Sequence, residues 1–94
     1  MRIRLKGYAD YGLSPARVKE ILVYCRTAPN DTIIKQAAEK AYPVIARYLV
    51  ESLKDGIGYD RLYKKYYIPL GCGDFYGYRR LTISLLDKMI PKKE

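Results

Sequence analysis

Ninety-four residues carry a formal charge of +8, two cysteines and no histidine. A chain of this length makes one domain with a core of its own. Cys25 and Cys72 form no Cys-x-x-Cys pair, so neither a zinc site nor a disulfide framework is legible, and reduced thiols in a cytoplasmic protein are expected. No stretch approaches the roughly 20 apolar residues of a membrane span, and no basic head leads into an apolar run as in a secretion signal. Neither a cofactor nor a metal is expected.

The charge is uneven. Residues 1 to 6 carry +3, residues 7 to 60 balance, and residues 61 to 94 carry +5. An excess of this kind favours polyanionic partners without specifying one.

In chain order, MRIRLK alternates Met1, Ile3 and Leu5 with Arg2, Arg4 and Lys6, the two-residue period of a strand or extended arm. Residues 1 to 13 are read as that arm, and the basic segment can lie across the helices, pair with a copy of itself, touch phosphates or trail as a partly ordered tail. A first helix is predicted over 15 to 27: Ser14 is a good N-cap, Pro15 suits the first helical position, and Val18, Ile21, Leu22 and Cys25 form a stripe. Pro29 ends it. Asn30 and Asp31 offer a cap for the next stripe, Ile34, Ala37, Ala38 and Ala41, which continues as Ile45, Tyr48, Leu49 and Leu53. Pro43 would cost about 3 kcal/mol inside a continuous helix, so the run divides into helices at 31 to 41 and 43 to 54. Asp55, Gly56 and Gly58 then break the chain, a left-handed residue after a helix favouring glycine. Residues 14 to 56 are read as support.

Residues 57 to 90 read as a helix-turn-helix-like unit. In its first helix Tyr59, Leu62 and Tyr66 face the core, Arg61, Lys64 and Lys65 face water, and Asp60 can pair with Lys64. Pro69, Gly71 and Gly73 mark the turn, and Asp74 can cap or charge-stabilise the last helix. There Phe75, Tyr78, Thr82, Leu85, Leu86 and Met89 share one face, while Tyr76, Arg79, Arg80 and Ile83 turn away. Gly77 allows a close backbone approach at a helix cost of about 1 kcal/mol. Six of the eleven tyrosines and the only phenylalanine cluster in this stretch, a density that suits base stacking and suits an aromatic core equally well.

The ending IPLGCGDFYGYRRLTISLLDKM resembles small phage-type transcriptional regulators of the ArpU and RinA kind, whose last segment is similar to region 4 of sigma factors. Ile68, Pro69, Phe75, Tyr76, Tyr78, Arg79, Leu85 and Leu86 carry the resemblance, over about a third of the chain. It implies DNA binding by the final helix.

The expectation is therefore an all-α, single-domain bundle of about five helices that binds duplex DNA in transcriptional control of a phage or mobile element. Arg61, Lys64, Lys65, Tyr76, Arg79 and Arg80 are its candidate contacts, arginine suiting guanine edges and phosphate forks. A phosphate on each of the five cations would give a salt slope of about −4 to −5. A homodimer reading two half-sites fits such a module. The alternative is an interaction module, adaptor or inhibitor, docking the same basic aromatic helix on an acidic protein such as RNA polymerase or a nuclease. RNA is a third reading, favoured if single strands compete better than duplex. An enzyme is not expected: there is no histidine, the ten acids show no tight pairing, and LGCGD lacks the lysine and spacing of a phosphate-binding loop. A tyrosine nucleophile beside Arg79 and Arg80 would lack a general acid and a second domain.

Overall fold

The structure, a computed structural model, describes residues 2–29 and 31–90. Five α-helices and no strand are present among them: α1 Pro15–Thr27, α2 Thr32–Ala41, α3 Ala46–Asp55, α4 Tyr59–Lys65 and α5 Cys72–Met89. Three short 3-10 turns, Ile3–Leu5, Tyr8–Tyr11 and Pro43–Ile45, are the other helical elements of the described residues. The expected all-α bundle is what forms, and no helix of the described residues is long and apolar enough to cross a membrane.

Local chemistry sets the boundaries. The Ser14 hydroxyl accepts the Arg17 amide at 3.1 Å, and Pro15 opens α1. Pro43 divides the second stripe as expected, with a 3-10 turn between α2 and α3. Gly56 closes α3 at φ +67°, with its amide on the Ser52 carbonyl, and the Arg26 guanidinium lies over the space a β-carbon would need. Asp31 sits at the N-cap of α2 without a side-chain bond, and its carboxylate faces Lys35 at 3.6 Å and Lys54 at 3.8 Å. Asn30, expected to share that cap, lies outside the described residues.

The bundle is built around α5. This helix packs most heavily on α2 and on the Ile3–Leu5 turn, and also meets α1, α3, α4 and the Tyr8–Tyr11 turn. Phe75, Thr82, Ile83 and Leu86 are fully buried, with Ile21, Ile34, Leu49, Leu53 and Leu62 arriving from the other helices. Ile83 was expected to turn outward with Tyr76, Arg79 and Arg80. It is buried because α5 has neighbours on more than one side, so no face of it is left as the free one. Its far end is tied down by Arg17, whose Nε meets Asp87 Oδ1 at 2.6 Å and whose Nη2 donates to the carbonyls of Ile90 at 2.9 Å and Asp87 at 3.2 Å. A cation on the last carbonyls is a favourable helix ending.

The extended-arm reading of the N-terminus is corrected. Residues Ile3–Leu5 form a 3-10 turn laid across α5, and Met1 of the apolar alternation lies outside the described residues. A β-carbon on Gly77 would stand 2.7 Å from the Ile3 carbonyl oxygen and 2.9 Å from the Arg4 amide nitrogen, so glycine is what lets the two backbones approach. Arg80 then fixes the segment, donating from Nε to the Lys6 carbonyl at 2.7 Å and from Nη2 to the Arg4 carbonyl at 3.0 Å.

Candidate nucleic-acid interface

The six sequence-predicted contacts divide into two groups of three. Tyr76, Arg79 and Arg80 serve the fold. Gly58 has no side chain with which to cap α4, and the Tyr76 hydroxyl accepts the Tyr59 amide at 3.0 Å in its place. Arg79 Nε donates to the Ser52 hydroxyl at 3.0 Å, which in turn donates to the Ile57 carbonyl at 2.7 Å. One arginine thereby braces the end of α3 and the loop into α4. Arg80 holds the N-terminal segment. All three side chains are half-buried.

Arg61, Lys64 and Lys65 face water as expected, Lys64 opposite the fully buried Leu62 and the other two on one flank of α4. They converge on one surface cleft of about 590 Å³, lined also by Asp55 and Ile57. Arg61 and Lys64 form no ion pair among the described residues; in particular, Asp60 does not pair with Lys64. Lys65 meets Glu51 Oε2 at 3.0 Å, and Tyr66 donates its hydroxyl to the other oxygen of that carboxylate at 2.9 Å. The hydrogen bond from Lys65 holds the Glu51 carboxyl below its ordinary range, and the same bond pushes the Lys65 ammonium up.

A second feature starts on another face of α4 and runs past its end. Tyr59, Tyr63 and Tyr67 stand four residues apart, with ring centroids 5.5 Å and 6.2 Å apart in turn. Tyr59 is the inner member: its hydroxyl donates to the Leu70 carbonyl at 2.6 Å, its ring lies 5.5 Å from that of Phe75, and burial pushes its hydroxyl pKa up. Tyr63 is 47% exposed and Tyr67 74% exposed. Neither was among the six expected contacts. The signal available in the sequence was their four-residue spacing, offset by one from the inward pair Leu62 and Tyr66.

Between α4 and α5 lie six residues, 66 to 71, against the three or four of a tight helix-turn-helix connection. Among the described residues no group of three acidic, cysteine or histidine side chains is placed to hold a metal ion. Cys72 is exposed at the start of α5; Cys25 is buried, and burial pushes its thiol up to about 11, which makes it a core residue rather than a nucleophile. No protein-family model, no curated protein and no solved structure matches the chain.

Proposed function

We propose that the chain is a nucleic-acid-binding protein of transcriptional control, like the phage-type regulators its C-terminal third resembles, and that it grips phosphates with α4. The observation that carries this reading is the convergence of Arg61, Lys64 and Lys65 on one cleft while Arg79 and Arg80 are engaged inside the protein. A cleft with three cations against Asp55, in a chain of charge +8, suits a polyanion. The α5 helix contributes by holding α4 in place: Tyr76 caps α4, and Arg79 braces the loop before it.

Fluorescence anisotropy with labelled DNA at low and moderate salt tests the reading. With Lys65 held by Glu51, phosphate contacts from Arg61 and Lys64 give a slope of log affinity on log salt of about −2, shallower than the −4 to −5 of five contacts. The Arg61→Ala, Lys64→Ala double variant keeps its thermal stability and loses binding. The Arg79→Ala, Arg80→Ala double variant loses stability first, because each change leaves backbone or hydroxyl acceptors unpaired. No binding at low salt, where a protein of charge +8 has its best chance, would overturn the proposal and favour docking on an acidic protein surface.

A further inference from the structure

Resting on that reading, we infer that the strand held by α4 is unpaired, and that Tyr63 and Tyr67 are the platform on which its bases stack.

Several of the other tyrosines are engaged within the fold. Tyr42 stacks on Tyr78 at 4.7 Å, Tyr48 packs on Tyr66 at 5.4 Å with Arg47 over both rings, and the Tyr76 hydroxyl accepts the Tyr59 amide. Among the described residues, Tyr63 and Tyr67 are the aromatic rings left exposed. They are not loose: the row starts at Tyr59, locked by Phe75 and the Leu70 carbonyl, and steps outward through ring contacts at 5.5 Å and 6.2 Å. A platform anchored at one end and open at the other loses little side-chain freedom when a flat ligand settles on it.

Charge selects the occupant. On the helix Lys64 points about 100° from Tyr63, with Asp60 between them, and Arg61 about 160° from it, so a strand stacked on Tyr63 meets Lys64 first and reaches Arg61 by passing around α4. Asp60 is the one acid of α4, against Arg61, Lys64 and Lys65. Exposed aromatic faces within a strand's reach of unpaired cations are the combination that binds single strands: the cations meet phosphates while each base offers a π-face. In a duplex those faces are covered by neighbouring bases, and the rings would gain nothing. An apolar protein partner would have to bury Arg61 and Lys64 without compensation.

Three labelled probes of one mixed sequence, single-stranded DNA, single-stranded RNA and the DNA duplex, compared by anisotropy at one salt concentration, test the inference. Single strands bind tighter than the duplex, and the two single-stranded arms tell which sugar is accepted. Tyr63→Ala and Tyr67→Ala each weaken single-strand binding about 5- to 100-fold and leave the salt slope unchanged. Tyr67→Phe retains binding, because the ring and not the hydroxyl stacks. Tyr67 is exposed enough that its alanine variant stays folded, which a thermal melt verifies. Duplex bound as tightly as single strands, or alanine variants with unchanged affinity, would overturn the inference and leave the phosphate-binding reading standing. No binding to any probe would overturn both. Loss of a captured acidic protein on Tyr63→Ala, with nucleic-acid affinity unchanged, would assign the rings to a protein interface and overturn the inference as well.

Discussion

Helices α4 and α5 carry similar chemistry, tyrosines beside arginines or lysines, and meet opposite fates. At 18 residues α5 is about 27 Å long, enough to be flanked by elements from both ends of the chain. Its outward-pointing cations have backbone and hydroxyl oxygens within reach and are used there. At seven residues α4 lies against the bundle through Leu62 and leaves Arg61, Tyr63 and Lys64 in water. The contrast teaches that a basic aromatic face is a contact surface only where the fold supplies no other partner for it. Whether it does depends on how many neighbours a helix of that length acquires.

The largest expected effect tests which helix is the hub. Phe75→Ala removes a fully buried ring and should cost about 3–5 kcal/mol in chemical denaturation, whereas Tyr67→Ala should stay within about 0.5 kcal/mol. Comparable losses at the two sites would break the comparison.

The next effect concerns the N-terminal turn on α5. Gly77→Ala gains up to about 1 kcal/mol of helix propensity but drives a β-carbon into the Ile3 and Arg4 backbone, a clash of about 1–3 kcal/mol. The expected outcome is a net loss, with faster trypsin cleavage after Arg4 and Lys6 as the turn lifts. Unchanged cleavage and stability would mean that the segment does not depend on Gly77.

The smallest effect lies on α4. Glu51 has a folded pKa lowered first by its bond from Lys65, so its contribution is present above the unfolded carboxylate value of about 4.3 and is lost as pH falls through the folded one. The raised Lys65 pKa acts at the other end, complete below about 10.4 and lost as pH rises through the folded value. Glu51→Gln should flatten the acid side of the stability profile. By releasing Lys65 it should also steepen the salt slope of nucleic-acid binding by up to about 0.9. An unchanged acid limb would show that the pair contributes nothing to the fold.

Local chemistry made much of the fold legible. Ser14 and Pro15 placed the start of α1, Pro43 divided the second stripe, and Gly56 closed α3, each through a preference that acts within a few residues. The candidate site was half legible: Arg61, Lys64 and Lys65 face water as their spacing implied, but the ring row of Tyr63 and Tyr67 could not be told from core aromatics by pattern alone. Six residues of alternation in MRIRLK also could not separate a strand from a 3-10 turn, because what fixes that segment is Gly77 and Arg80, more than 70 positions away.

By itself the sequence determined an all-α chain, its helix boundaries and an excess of charge at its two ends, since propensity, capping and periodicity are local. Tertiary structure alone decided that α5 is enclosed and α4 is open. Burial of Ile83, the clasp of Arg17 on Asp87 and the grip of Arg80 on the N-terminus all join residues far apart in the chain. Which cation finds an internal oxygen and which is left for a phosphate is settled only when those distant parts meet.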